Sequence, residues 1–161
     1  MLKGSVQQVD DVALNDIVLT RHGSSVHMIK FNVYVNGELL NTYRADGMIV
    51  STPTGSTAYN LSAGGPIVEP TATMIVLTPI CSHALNTSSI VLSAEDEIVL
   101  EVGEGRDGAE EKASVSFDGE NNLTLKTGDT ITINKAQDVT KLLKLSKDSF
   151  LEILRTKMKG N

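Results

Sequence analysis

The sequence predicts a mainly β protein, a two-layer distorted β-sandwich of about ten short strands with one C-terminal helix. Turn signals recur about every 8–12 residues between short apolar runs, as in sandwich folds. Several of these runs alternate apolar and polar residues, which is the pattern of a half-buried strand. Only one segment, near the C-terminus, combines helical spacing of apolar residues with a capping box.

The first interior strand predicted is residues 12–19, V-A-L-N-D-I-V-L. Asn15 and Asp16 interrupt this apolar run, and polar side chains in such a place need partners or face a ligand. A β-bulge or a solvent-facing pair explains the same pattern, and the residues alone favour that alternative.

Residues 26–35 predict a half-buried strand because Ile29, Phe31 and Val33 alternate with polar residues. The Asn-Gly pair that follows, at positions 36 and 37, is the strongest short-range hairpin signal in the chain. Residues 38–44 are therefore predicted to return antiparallel to the preceding strand.

The second half of the chain predicts further strands and a β-meander with Asp-Gly and Gly-Asp turns. The predicted strands are residues 74–77, 90–92 and 98–102, the runs around Val115 and Phe117, Leu123 and Leu125, and Ile131 and Ile133, and a last strand at 141–145.

A helix is predicted at residues 150–158. Ser149 and Glu152 form a capping box at its start, and Phe150, Ile153 and Leu154 share one face. We therefore divide the chain into a β domain, residues 1–146, and a C-terminal helix or tail, residues 147–161.

The stretch at residues 46–66, D-G-M-I-V-S-T-P-T-G-S-T-A-Y-N-L-S-A-G-G-P, joins a predicted buried strand to a hydroxyl-rich, glycine-punctuated turn. Seven hydroxyl side chains fall within its residues 51–62. Such a turn can present hydroxyls and backbone amides to a ligand. A long polar connection between two strands is the alternative, and composition alone favours it.

Length, composition and net charge limit the classes of function that the chain can have. The chain has 161 residues, and 40% hydrophobic content allows one core. A net charge of −6 argues against non-specific nucleic-acid binding. The sequence contains no window of about 18 apolar residues, so no membrane span is predicted. A single cysteine, Cys81, fits a reducing, cytoplasmic setting.

Several familiar catalytic motifs are absent from the sequence: the P-loop, the Rossmann fingerprint, zinc-ligand spacing and the nucleophile elbow. What remains is a set of binding groups. A carboxylate at Asp46, hydroxyls at Thr54 and Thr57, a ring at Tyr59 and an amide at Asn15 suit a nucleoside better than a covalent mechanism.

At these residues the sequence resembles the NAD kinase family, the ATP- or polyphosphate-dependent enzymes that phosphorylate the 2′-hydroxyl of the adenosine ribose of NAD. The resemblance rests on A-L-N-D at residues 13–16, the stretch at 46–66, T-P-I-C-S-H at 78–83 and S-F-L-E-I-L-R-T-K at 149–157. It spans nearly the whole chain in order and is most specific at residues 46–66.

The resemblance implies roles for individual residues. Asn15 and Asp16 would hold the ribose and adenine side of NAD, and Asp46 would bind its nicotinamide end, often from a neighbouring subunit. Glu120 stands where the family usually has glutamine, so a donor is exchanged for an acceptor near the dinucleotide's phosphates. The remaining implied contacts are His27 and Arg44 lining the NAD site, Thr54 on adenine, and Thr57, Ala58, Tyr59, Asn60, Leu61 and Ser62 around the adenosine.

The resemblance covers only the C-terminal part of the family's chain. The family's G-G-D-G-T motif, which carries the presumed general base, does not occur in these 161 residues. We therefore expect an excised domain whose parent is an NAD kinase using Mg²⁺ or another divalent cation. We expect no kinase activity from this chain alone, a homo-oligomer (dimer or tetramer), and a C-terminal tail that would pack on the missing N-terminal α/β domain.

Two alternatives stay open at this point. One is a non-catalytic nucleotide-binding or oligomerisation module of the same fold. The other is a β-sandwich interaction domain without a ligand.

Overall fold

The computed structural model describes residues 1–7, 9–23, 27–82, 88–143, 145 and 147–158. Within them, twelve strands, two α-helices and two short 3₁₀ helices follow one another. The strands are β1 (Leu2–Val6), β2 (Val9–Ala13), β3 (Asp16–Arg21), β4 (Ile29–Val35), β5 (Glu38–Ala45), β6 (Gly47–Ser51), β7 (Met74–Ile80), β8 (Ile90–Ser93), β9 (Ile98–Val102), β10 (Lys112–Phe117), β11 (Glu120–Lys126) and β12 (Thr130–Lys135); the helices are α1 (Tyr59–Ser62) and α2 (Phe150–Met158), and the 3₁₀ helices are Thr54–Thr57 and Arg106–Gly108.

The strands form two six-stranded antiparallel sheets, which confirms the predicted mainly β fold. Sheet A has the order β2-β1-β12-β9-β4-β5, and sheet B has the order β11-β10-β3-β6-β7-β8. Every strand pair recorded between neighbours is antiparallel. The architecture is therefore a two-layer sandwich with hairpin and crossover connections.

Branched aliphatic side chains fill the space between the sheets, as the scarcity of aromatic residues requires. Phe31 and Leu100 of sheet A and Leu19 and Val50 of sheet B are all buried in one cluster. The ring of Phe31 also stacks on Tyr43, with centroids 5.6 Å apart. One continuous core thus fixes which face of each strand points outward.

The two tightest hairpin turns follow the local sequence. Asn36 and Gly37 have φ angles of 51° and 80°, and Asp118 and Gly119 have φ angles of 49° and 81°. A two-residue turn with both φ angles positive matches the right-handed twist of the strands, and Asn-Gly and Asp-Gly tolerate it best. Both predicted turns are confirmed.

The strand predicted at residues 12–19 is wrong in one respect. The chain bends at Leu14 and Asn15, so β2 ends at Ala13 and β3 begins at Asp16 in the other sheet. The break arises because backbone groups of this corner bond to side chains from distant turns, as described below. A strand at residues 2–6, which the sequence analysis did not predict, pairs with β2 and β12.

The last predicted strand, residues 141–145, is also wrong. Its described residues lie in no strand, and Leu142, Leu143 and Leu145 are all exposed. A short apolar run forms a strand only where a neighbouring strand can pair with its backbone N–H and C=O groups. None of the strand pairings recorded for the described residues includes this segment.

Helix α2 confirms the predicted capping box. The Ser149 backbone N–H donates to Glu152 Oε2 at 2.6 Å, and the Glu152 N–H donates to Ser149 Oγ at 3.2 Å. Along this nine-residue helix Phe150 and Leu154 are half-buried, whereas Ile153 is 40% exposed. Among the described residues, no helix has the length and apolar character needed to cross a bilayer.

Candidate functional site

A cleft of about 310 Å³ opens on the outer face of sheet B, where β3 lies beside β10. Its floor is the outward side of these strands, its one wall is the segment around α1, and its other wall is the β10–β11 turn. The cleft is lined by Asn15, Asp16, Val18, Thr20, Ala58, Tyr59, Ser116, Asp118 and Gly119.

The corner at residues 14–16 forms the end of the cleft and is held from two sides. Asp118 accepts hydrogen bonds from the backbone N–H groups of Leu14 and Asn15, both at 2.7 Å. On the other side, Thr52 Oγ1 donates to the Leu14 carbonyl at 2.8 Å, and the Thr52 N–H donates to the Asn15 carbonyl at 2.9 Å. The backbone of the corner is thus satisfied, while the Asn15 and Asp16 side chains line the cleft.

Asp16 is the most electrostatically perturbed carboxyl group of the cleft. Burial, and secondarily the negative charge of Asp118, raise the pKa of Asp16 to about 6. The residue as a whole is 5% exposed, and no described residue donates a hydrogen bond to its carboxylate. Because no fully buried polar side-chain atom of the described residues is unpaired, the carboxylate oxygens remain open to the cleft. A largely desolvated carboxylate that has no donor and opens onto a cleft is a place where a ligand hydroxyl can bind.

The segment that follows β6 covers the outer face of sheet B and is held by buried polar side chains. Asn60 Nδ2 donates to the carbonyls of Ser56 and Pro66, both at 3.0 Å, and Thr78 Oγ1 donates to Asn60 Oδ1 at 2.7 Å. Ser56 Oγ in turn accepts from the Val68 N–H at 2.9 Å. The hydrogen bond between Asn60 and Thr78 therefore joins the hydroxyl-rich segment to β7.

Replacing Asn60 with alanine should destabilise the protein by roughly 2–4 kcal/mol, because the carbonyls of Ser56 and Pro66 and the Thr78 hydroxyl lose a hydrogen bond together, and two of these three bonds are buried. Thermal unfolding of Asn60→Ala measures this effect. Ser62→Ala, at an exposed position of the same helix, is the matched control and should change stability by less than about 0.5 kcal/mol. Equal melting temperatures for the two variants would contradict the role given to Asn60.

The structure brings together only part of the predicted site. Four of its members, Asn15, Asp16, Ala58 and Tyr59, line one cleft, and Tyr59 as a residue is 46% exposed. The other members lie elsewhere. In the segment that follows β6, Asn60 is fully buried, whereas Thr57, Leu61 and Ser62 are exposed. Thr54 borders a second cavity of about 380 Å³, and Glu120 is exposed at the start of β11.

Asp46 lies at the opposite end of β3 and β6. Its carbonyl accepts from the Arg21 N–H at 3.0 Å, and its Oδ1 is 3.6 Å from Arg21 Nε. Asp16 pairs with Ser51 at the cleft end of the same strands, so five residues at ~3.4 Å each put Asp46 roughly 17 Å from Asp16. Arg44 and His27 are exposed near this far end.

Sequence reasoning missed Asp118 and Thr52 as parts of the site. The Asp118-Gly119 pair was interpreted only as a turn, and Thr52 only as one of many hydroxyls. Asp118 accepts hydrogen bonds from backbone N–H groups that lie 102 to 104 residues earlier in the chain. An aspartate in a hairpin turn has no local sequence feature that predicts such distant donors. The A-L-N-D pattern, with its two polar residues, was the available signal that a partner was needed.

Comparison with known proteins places this geometry in a family. Residues 14–145 match the ATP-NAD kinase C-terminal domain. The chain is 55% identical over 150 residues to an NAD kinase of Agathobacter rectalis, covering 93% of this chain and 52% of the relative. It is 47% identical over 165 residues to an NAD kinase of Lachnospira eligens, covering 97% and 56%. The chain spans about half the length of the curated relatives that it matches.

Two solved structures are similar as well. The crystal structure of yeast NADH kinase complexed with NADH matches with a TM-score of 0.74 and 34% identity over 83% of this chain and 39% of that one. The NAD kinase from Archaeoglobus fulgidus in complex with ATP matches with a TM-score of 0.69 and 31% identity over 85% and 51%. With its fold, its cleft and this match over most of its length, the chain belongs to the ATP-NAD kinase C-terminal domain family.

Proposed function

We propose that this chain binds NAD and holds the 2′-hydroxyl of its adenosine ribose for phosphorylation to NADP, as part of an NAD kinase. The observation that carries the proposal is Asp16, a residue only 5% exposed whose carboxylate opens onto a nucleoside-sized cleft and has no donor among the described residues. The yeast neighbour was solved with NADH and the archaeal neighbour with ATP. These ligands support a dinucleotide as acceptor and ATP as donor here.

Three residues of the cleft and one residue beside it have a chemical part in this proposal. Asp16 accepts hydrogen bonds from ribose hydroxyls, and the neighbouring amide of Asn15 can both donate and accept. The half-exposed ring of Tyr59 offers a face on which adenine stacks. Asn60, whose amide is used inside the fold, contributes by holding the segment that carries Tyr59.

The chain's own contribution to the reaction is positioning. Fixing an acceptor hydroxyl in line with a phosphoryl donor can lower the barrier by several kcal/mol. The described residues contain no cluster of three side chains suited to hold a metal ion, so we assign the divalent cation to none of them. We likewise assign no general base within this chain.

The role proposed for Asp46 involves a second copy of the chain. Because roughly 17 Å separates Asp46 from Asp16 along the paired strands, we propose that Asp46, Arg44 and His27 act at the nicotinamide end of an NAD bound in a neighbouring copy's cleft. This arrangement requires a homo-oligomer, a dimer or a tetramer.

Titration of the chain with NAD by calorimetry tests the proposal. We expect saturable binding that weakens about tenfold or more in Asp46→Ala, because a ligand contact from the neighbouring copy is lost. Glu38→Ala, which removes an equal charge at an exposed position on the β4–β5 hairpin, should bind as the wild type does.

Sedimentation of the same samples separates two causes of weaker binding. An Asp46→Ala protein that remains oligomeric but binds NAD weakly supports the direct contact. An Asp46→Ala protein that binds NAD as tightly as the wild type would refute the role proposed for Asp46.

A further inference from the structure

Asp118, in the tight turn between β10 and β11, is joined to the 14–16 corner by four hydrogen bonds. Its Oδ2 accepts from the Leu14 N–H, and its Oδ1 accepts from the N–H groups of Asn15 and of Asp16, the last at 3.1 Å. Its own N–H donates to the Asp16 carbonyl at 3.0 Å. One side chain therefore fixes three successive backbone positions beside the cleft.

We propose that Asp118 is a positioning residue of the dinucleotide site: its carboxylate holds the Leu14–Asp16 corner so that Asn15 and Asp16 face the ligand, and its charge strengthens Asp16 as an acceptor. This inference rests on the function proposed above. It goes further by assigning to a turn residue, rather than to a ligand contact, the geometry of the ribose-binding carboxylate and a share of its basicity, the larger share of which comes from burial.

The geometry requires a carboxylate. Three N–H groups converge on two oxygens, and an ionised carboxylate offers about four acceptor positions with no donor. An asparagine at the same position keeps one acceptor oxygen but turns an NH₂ group toward an amide that can only donate. Asparagine tolerates the positive φ of 49° at this position, so Asp118→Asn changes the hydrogen bonding without straining the turn.

The electrostatic consequence acts on Asp16. Two effects raise the pKa of Asp16: burial is the larger, and the negative charge of Asp118 is the second. The titratable groups that line the cleft are Asp16, Asp118 and Tyr59, and β6, paired with β3 at this point, presents Ser51, which does not titrate. A more basic carboxylate accepts a stronger hydrogen bond from a hydroxyl, provided that the solution is alkaline enough to ionise it.

The test measures NAD affinity by calorimetry between pH 5 and pH 8 for the wild type, Asp118→Asn and Asp129→Asn. Asp129 is the matched control because its carboxylate also accepts a turn amide, that of Lys126 at 2.8 Å, in the β11–β12 turn outside the cleft. We expect wild-type affinity to rise with pH through about 6. In Asp118→Asn we expect a loss of about tenfold or more near pH 7.5 and a lower midpoint.

A role confined to folding would weaken binding equally at every pH and leave the midpoint in place. An unchanged midpoint in Asp118→Asn, or a matching shift in Asp129→Asn, would therefore overturn the inference.

NMR of the chain without ligand keeps this test independent of the proposed function. Carbon-detected titration should show the Asp16 carboxyl ionising at a lower pH in Asp118→Asn than in the wild type. A second measurement needs only the wild type: couplings across hydrogen bonds should link the Leu14 and Asn15 amides to the Asp118 carboxyl carbon. Their absence would refute the inference even if the variant fails to fold. A wild type that shows these couplings but binds no NAD would refute the proposed function and leave the corner's geometry supported.

Discussion

Gly55→Ala should destabilise the protein by about 3 kcal/mol or more and abolish NAD binding at the same time. A Cβ atom at Gly55 would lie 2.6 Å from Asn15 Cα and would overlap the Asn15 carbonyl group. These are backbone atoms of a corner that is bonded on both sides, so they cannot move aside as a flexible side chain does. Overpacking against such a site typically costs 1–3 kcal/mol, and about 3 or more where backbone must shift.

Thermal unfolding and calorimetry with NAD measure the two effects. A loss of about 3 kcal/mol corresponds to a fall in melting temperature of roughly 10 °C for a chain of this size. Gly103→Ala is the matched control, because its Cβ would approach Lys30 Cγ and the Lys30 carbonyl oxygen only to 3.2 Å, a spacing that a shift of a few tenths of an ångström relieves. We expect that variant to bind NAD as the wild type does; a Gly55→Ala protein equally stable and equally competent would show that the corner and the covering segment are not in contact.

The contact between Gly55 and Asn15 also explains which parts of the fold the sequence could predict. The hairpin at Asn36 and Gly37 and the alternation of β4 are local properties, set by turn geometry and by one buried face. The break at Leu14 and Asn15 is not local. Its causes are Thr52 and Asp118, 38 and 104 residues away from Leu14, and no pattern within an apolar run records a partner so distant.

The same reasoning applies to the candidate site. The sequence singles out the hydroxyl-rich stretch as a binding segment, but three of its hydroxyl residues, Ser51, Thr52 and Ser56, are buried and hold backbone groups. Hydroxyls suit a ligand and a buried carbonyl equally well, so composition could not separate the two uses. Only the packing of the segment against sheet B decides which of its side chains remain open to the cleft.

Asp16→Asn should make the protein more stable at neutral pH while weakening NAD binding by about 10–100-fold. The pKa of Asp16 is raised from 3.8 to about 6, so the folded state disfavours the ionised carboxylate that exists at pH 7. A shift of this size corresponds to about 3 kcal/mol, and the open cleft beside the carboxylate reduces the expected gain to roughly 1–2 kcal/mol. The loss of binding follows from replacing a charged acceptor by a neutral one.

The pH dependence gives the prediction its sign. Between about pH 4 and pH 6 the unfolded chain releases the Asp16 proton while the folded chain keeps it, so wild-type stability falls as the pH rises through this window and the full penalty persists above it. The stability difference between Asp16→Asn and the wild type should therefore be small near pH 4 and largest at pH 7, as measured by urea unfolding. Asp138→Asn, at an exposed position after β12, should show no such divergence.

A variant that gains stability and loses affinity would identify Asp16 as a residue kept at a cost to the fold for the sake of a ligand, as strained functional groups often are. The opposite result, a destabilised Asp16→Asn protein, would mean that the carboxylate serves the structure. In that case the ribose contact would have to be sought at Asn15, whose side chain lines the same cleft. Stability and affinity measured on one variant thus decide between a structural and a ligand-binding carboxylate at the end of β3.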